Sequence, residues 1–188
     1  MDITVLIGGQ AGQGIQTVGQ LLASACRDAG LCVFGINDFE SRIRGGHSFY
    51  QLRIADSRVR APRRRLHLLI ALDENSLGLH RDHIEPGGLC LINSKTLSGQ
   101  PQVQPLCFDD LARGAGNELT ANTVAAAAAL ALLGAPAGLL ESVLNRQFAG
   151  KGGTVLAENM AAARLGREAV REIAFPFALP WPVKSERR

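Results

Sequence analysis

The chain has 188 residues, of which 46% are apolar and 20% charged, and its net charge is +3 with histidine counted neutral. That composition suits one sizeable globular core and excludes a disordered chain. A charge this small does not argue for nucleic-acid binding, and aromatic residues at 5% leave little material for a base-stacking surface.

The start, Met-Asp-Ile-Thr-Val, has no basic stretch and no signal-peptide core. The longest apolar stretch, Val124 to Leu133, is too short to span a bilayer. The chain therefore reads as soluble and cytoplasmic. Cys26, Cys32, Cys90 and Cys107 are scattered among apolar neighbours without Cys-x-x-Cys spacing. They read as buried free thiols in a reducing compartment, with neither a zinc nor an iron–sulfur site.

Ile3 to Ile7 is a β-branched apolar run that predicts a buried strand. Gly8, Gly9, Gly12 and Gly14 follow, and then Ile15, Val18, Leu21, Leu22, Ala25, Cys26 and Ala29 recur at helical spacing. A strand thus runs through a glycine loop into a helix. The unpaired first amides of such a helix favour an anion. The order is Gly-x-x-Gly-x-Gly, which matches neither the dinucleotide fingerprint nor the P-loop. From the loop alone, a tight turn without a ligand remains as good a reading.

Gly30 predicts a helix C-cap and Leu31 to Ile36 a second buried strand, so the first two strands should form a parallel βαβ unit. The stretch Asn37 to His47 has no period and reads as a loop. Its Arg42 and Arg44, with Gly45 and Gly46, offer two cationic forks and two unhindered amides. They suit a phosphate or carboxylate; pairing with Asp38, Glu40 or a neighbouring subunit explains the arginines equally well. His47 shows no partner along the sequence and reads as structural. Ser48 to Ile54 alternates as a half-covered strand, and Asp56 to Arg65 is a basic, solvated turn.

Leu66 to Leu72 predicts a central strand, with a helix starting at Asp73-Glu-Asn-Ser. His80 and His83 lie three apart, and without a third ligand they do not argue for a metal. Pro86-Gly-Gly predicts a turn before a strand at Leu89 to Ile92, and Gln100 to Phe108 an edge strand. Asp109-Asp110 begins a helix. Thr120 or Asn122 can cap a helix over Ala121 to Leu133 that is hydrophobic all round, and so buried in the core or against another subunit. After Gly134-Ala-Pro136, helices are expected at Leu139 to Phe148 and from Thr154 to about Ile173. Three prolines in Phe175 to Pro182 forbid a helix. That stretch reads as an extended strap docked on a surface.

These elements make a three-layer α/β/α sandwich with a mostly parallel sheet of about five or six strands. The chain divides into an α/β domain, 1–174, and a proline-rich tail, 175–188. The glycine loop and the Arg42–His47 loop should share one edge of the sheet. No catalytic constellation is visible.

Gly8-Gly-Gln-Ala-Gly-Gln-Gly14 followed by Gly35-Ile-Asn-Asp-Phe-Glu-Ser-Arg-Ile-Arg-Gly-Gly-His-Ser48, with Lys151-Gly-Gly before the last helix, resembles the gamma domain of 2-oxoacid:ferredoxin oxidoreductases. The likeness reaches to about residue 175. It is greatest to the form fused at the N-terminus of the alpha subunit. The resemblance implies a Rossmann-like fold and a part in oxidative decarboxylation of a 2-oxoacid with coenzyme A. It also implies alpha and beta subunits or domains as partners, with ferredoxin as electron acceptor. Thiamine diphosphate, magnesium and iron–sulfur clusters would reside in those partners, and none of them in this chain alone. On this resemblance Gly9, Gln10, Gly12, Gln13, Gly14, Arg42, Arg44, Gly45 and Gly46 are expected to meet coenzyme A or the adjoining subunit. The alternatives are an assembly scaffold without ligand, including a homodimer, and an independent nucleotide- or flavin-binding oxidoreductase. No nucleic acid or membrane is expected as a partner.

Overall fold

The structure, a computed structural model, describes residues 1–39, 46–97 and 99–181. Arg42, Arg44 and Gly45 lie outside the described residues, as does the end of the tail from Pro182.

β1 (Asp2–Gln10) runs into α1 (Ile15–Asp28), which is followed by β2 (Cys32–Phe39) and β3 (His47–Ala55). β4 (Leu66–Ala71), α2 (Glu74–His80), a 3-10 turn (Arg81–His83), β5 (Ile84–Ile92) and β6 (Val103–Pro105) come next. α3 (Phe108–Gly114), α4 (Ala121–Leu132), α5 (Ala137–Phe148) and α6 (Gly153–Glu168) complete the regular elements. The six strands are ordered β2-β3-β1-β4-β5-β6. β1, β4, β5 and β6 pair in parallel, and β3 is antiparallel to both its neighbours. The sheet is thus mostly parallel, as the order of elements predicts.

One expectation is corrected. β1 and β2 point the same way but are not neighbours, because β3 lies between them. Its register is continuous with both, from Asp2↔Ala55 to Gln10↔His47 and from Cys32↔Ala55 to Phe39↔Ser48. Ladders on both sides leave β3 no open edge. Of its polar positions Ser48 and Gln51 are covered, at 4% and 8% exposure, while Arg53 stays partly exposed, so β3 is more fully covered than its alternation predicts.

The Pro86-Gly-Gly segment also differs from expectation. It lies inside β5 as an irregularity, between the pairs Leu66↔Ile84 and Leu68↔Leu89. A proline has no amide to give to a ladder, and such a bulge asks for none there.

The main core lies on one face of the sheet. Ile3, Val5, Ile7, Leu52, Ile54, Leu68, Ile70 and Leu91 point into it against α1, α4 and their neighbours. The other face is thinly covered: Leu6, Leu69, Ala71, Cys90 and Ile92 gather under Leu77 of the short helix α2.

α4 is buried from Thr123 through Leu130 by this chain's own α1, α3 and α6. Its all-round apolar surface therefore needs no second subunit. Thr120 precedes it without capping it, since its hydroxyl donates to Asn117 O at 2.7 Å. α6 begins after Gly152 rather than on a Thr154 cap, and ends at Glu168, short of Ile173.

The strap docks as its apolar residues predict. Leu179 N and Trp181 Nε1 both donate to Leu133 O, at 2.9 and 2.7 Å, and the Phe177 ring meets His67 edge-on at 4.7 Å.

Candidate anion-binding cleft

β1 ends at Gln10, and the loop turns through Ala11 to Gly14 before α1 starts. Gln13 holds this loop closed from both sides. Its amide donates to Gln10 O at 3.1 Å, and its side-chain oxygen accepts from Gln10 N at 2.7 Å. Gln10 and Gln13 therefore shape the loop. Gly9 gives the Gln13 side chain its room, for a Cβ there would sit 2.7 Å from Gln13 Oε1.

Gly14 is the N-cap of α1, with φ 84°, and supplies no side-chain cap. The helix ladder begins with Val18 N donating to Gly14 O at 3.1 Å. The amides of Ile15, Gln16 and Thr17 precede that ladder, and no acidic side chain occupies the first turn. They carry the positive end of the helix dipole.

A cleft of about 270 Å³ opens on these amides. It is lined by Ala11, Gly12, Gly14, Ile15, Gln16 and Thr17 of the loop and helix, with Asn37 of β2 and Ser48 of β3 across from them. Among the described residues the lining carries no charged side chain; its polar groups are backbone amides and carbonyls, side-chain amides and hydroxyls. The chain between β2 and β3 is tied to the same place. Ala11 N donates to Gly46 O at 3.4 Å, and Gln10 pairs with His47 across the ladder. The glycine loop and the near end of the Arg42–His47 loop thus share one edge of the sheet, as expected.

Of the predicted residues, Gly12 and Gly14 line this cleft and Gly46 anchors its rim. Gly9, Gln10 and Gln13 do not line it. Gln13 instead faces a second crevice of about 220 Å³, with Leu72, Asn93, Phe108, Asp109, Ala121 and Asn122. Thr17, Asn37 and Ser48 also line the cleft and are not among the predicted site residues. Asn37 and Ser48 become neighbours of the loop only through the insertion of β3 beside β1, a pairing with no local signal.

His47 has a partner that sequence reading does not reveal. Its Nε2 lies 2.8 Å from His80 Nε2, although 33 residues separate the two. Burial, with the fields of His47 and His83, pushes the His80 pKa down to about 4. Burial likewise pushes the Cys26 and Cys90 thiols up to about 12, the reverse of what a cluster or zinc thiolate needs. Among the described residues no three His, Cys, Asp or Glu side chains converge to hold a metal ion, and no helix is long and apolar enough to cross a membrane.

The family model for pyruvate ferredoxin/flavodoxin oxidoreductase matches residues 4–169. The alpha subunit of 2-oxoacid:ferredoxin oxidoreductase 2 from Aeropyrum pernix is 29% identical over 92% of this chain, which covers 34% of that subunit. The 2-oxoglutarate synthase subunit KorC of Archaeoglobus fulgidus is 24% identical, with 97% of this chain and 96% of that subunit covered. Among solved structures, the 2-oxoglutarate:ferredoxin oxidoreductase of Magnetococcus marinus, with 2-oxoglutarate, coenzyme A and succinyl-CoA bound, superposes with a TM-score of 0.86 at 26% identity. That superposition covers 97% of this chain and 33% of the other. The chain therefore spans about a third of the length of these two larger relatives.

Proposed function

The chain belongs to the pyruvate ferredoxin/flavodoxin oxidoreductase family, and from that premise we propose that it is the gamma component of a thiamine-diphosphate-dependent 2-oxoacid:ferredoxin oxidoreductase. In this role it contributes to binding the phosphates of coenzyme A and to assembly of the subunits. The complex would convert a 2-oxoacid and coenzyme A to acyl-coenzyme A and carbon dioxide, passing electrons to ferredoxin. Thiamine diphosphate with magnesium supplies the carbon chemistry and iron–sulfur clusters carry the electrons. Both would belong to the alpha and beta partners. The isolated polypeptide is then inactive, and the assembled enzyme works in the cytoplasm.

The observation that carries this reading is the cleft on the first amides of α1, tied by the Ala11–Gly46 bond to the loop that bears Arg42 and Arg44. Main-chain donors at the positive end of a helix favour a phosphate, and Arg42 and Arg44, which lie outside the described residues, are proposed to add charge-assisted bonds. The resemblance in fold to an enzyme with coenzyme A bound supports coenzyme A as the source of the anion. Burial of α4 within its own chain removes the main argument for a ligand-free scaffold.

Coenzyme A titrated calorimetrically into the reconstituted complex tests the reading. Arg42→Ala and Gly12→Val should each weaken binding by about tenfold or more, the loss of a charge-assisted hydrogen bond or of backbone access. Unchanged affinity and unchanged assembly in both variants would refute it.

A further inference from the structure

On the thinly covered face of the sheet, four polar side chains from two places in the sequence, the start of β3 and the capped helix α2, form one continuous chain. Asp73 caps α2 and accepts from Ser76 N at 2.8 Å and from Ser76 Oγ at 2.7 Å. Ser76 Oγ lies 3.5 Å from His47 Nδ1, and His47 Nε2 lies 2.8 Å from His80 Nε2. Ser76 is fully buried and His47 is 5% exposed.

The hydrogen-bonding inventory gives this chain a direction. A carboxylate only accepts, so the Ser76 hydroxyl donates to Asp73 and its oxygen is left to accept from His47 Nδ1–H. His47 Nε2 is then an acceptor, and His80 Nε2–H donates to it. Each imidazole is held in one tautomer, and the His47 ring in one orientation. The Phe49 ring closes the cluster, edge-on to His80 with centroids 5.5 Å apart. His83 flanks His80 at 6.2 Å, and Arg64 Nε donates to His83 Nε2 at 3.4 Å.

Two features connect this cluster to the glycine loop. A Cβ on Gly8 would lie 3.0 Å from Ser76 Cβ and 3.2 Å from His47 Cε1, so the bare backbone of β1 is what lets the two side chains meet. His47 also pairs with Gln10, the last residue of β1, and its neighbour Gly46 accepts from Ala11 N. The path runs from α2 through the His47 ring to the Gly46 carbonyl, and from there to an amide of the loop. Packing alone would be served by apolar side chains. A directional polar chain additionally specifies one position of the strand end.

We propose that His47 is a positioning residue for the glycine-loop anion site, and that Ser76 and His80 fix its ring so that the Gly46 carbonyl meets the loop in one register. The proposal rests on the coenzyme A reading above. It is read on the assembled oxidoreductase, by calorimetric titration of coenzyme A and by steady-state kinetics. His80→Ala should weaken coenzyme A binding about tenfold, the effect expected of removing one partner of a partly buried hydrogen bond that holds the site's rim. The KM for coenzyme A should rise in step, with kcat at saturating coenzyme A and the KM for the 2-oxoacid unchanged. His80→Gln, whose carboxamide can still donate, should stay within about threefold of the unsubstituted enzyme. His80 is only half-buried, so its truncation leaves the fold in place, and the thermal midpoint of each variant is followed alongside.

Equal affinity in His80→Ala and the unsubstituted enzyme overturns the proposal. So does a loss confined to kcat, or a His80→Gln variant as weak as His80→Ala, because each marks a merely structural role. Gly12→Val separates the two levels. If it leaves coenzyme A binding unchanged, the glycine-loop reading fails and this proposal with it. If it weakens binding while His80→Ala does not, the positioning proposal fails alone.

Discussion

Gly14 and Gly12 both have positive φ, at 84° and 97°, but their surroundings differ. A Cβ on Gly12 meets nothing within 4 Å, whereas one on Gly14 falls 2.0 Å from Asn122 Nδ2 and 2.6 Å from Asn122 Cγ. Gly12→Ala therefore bears only the left-handed backbone penalty, about 1 to 2 kcal/mol. Gly14→Ala bears the same penalty and must also expel the Asn122 side chain from the first turn of α4. Turning that carboxamide aside costs about 0.5 to 1.5 kcal/mol more, the strain of an off-rotamer side chain. For a chain of this length each kcal/mol moves the thermal midpoint by about 2 to 4 °C. Gly12→Ala should lower it by about 2 to 8 °C, and Gly14→Ala by about 3 to 14 °C. The double variant Gly14→Ala/Asn122→Ala removes the obstruction and keeps the strain, so it should fall back to the Gly12→Ala level. Thermal and urea unfolding of the four proteins, read by circular dichroism, gives the comparison. If Gly14→Ala costs no more than Gly12→Ala, or the second substitution restores nothing, the close approach of α1 and α4 is misplaced.

Two further outcomes follow from contacts away from the cleft. Gly166 lets α6 lie against α4, since a Cβ there would be 2.4 Å from Val124 O, while one on Gly138 in α5 meets nothing. Gly166→Ala should cost about 3 kcal/mol or more by forcing two packed helices apart, whereas Gly138→Ala should be neutral or gain up to about 1 kcal/mol from helix propensity. Urea unfolding reads both, and equal effects would contradict the helix contact. The second outcome concerns acid. The folded pKa of His80 is about 4, below the ordinary value of 6.5. On acidification the unfolded chain takes up this proton first, so stability declines as pH falls from about 6.5 towards 4. His80→Phe removes that site and should flatten the acid limb of a stability-against-pH curve in the same window. A limb as steep as in the unsubstituted protein would show that His80 does not titrate this way.

The parts of the protein readable from sequence are those written in local chemistry. The apolar run Ile3 to Ile7, the glycines after it and the spacing from Ile15 onward predict β1, its loop and α1 because each depends on residues within a few positions. The Asp73 cap, the edge position of β6 and the docked strap were legible for the same reason. The two glycine motifs in order sufficed for a family resemblance, and with it the fold class. What sequence could not supply was pairing at a distance. Whether β2 sits beside β1 or one strand away depends on where β3 finds its ladders, and both arrangements satisfy the same alternation. His47 looked unpartnered because His80 lies far along the chain and meets it only when α2 folds over the sheet. The bonds by which Gln10 and Gln13 close the glycine loop on itself likewise appear only in the folded chain. Backbone conformation and burial tendency are properties of a residue and its near neighbours, and so are encoded locally. Which polar groups face one another is decided only when distant elements compete for the same space.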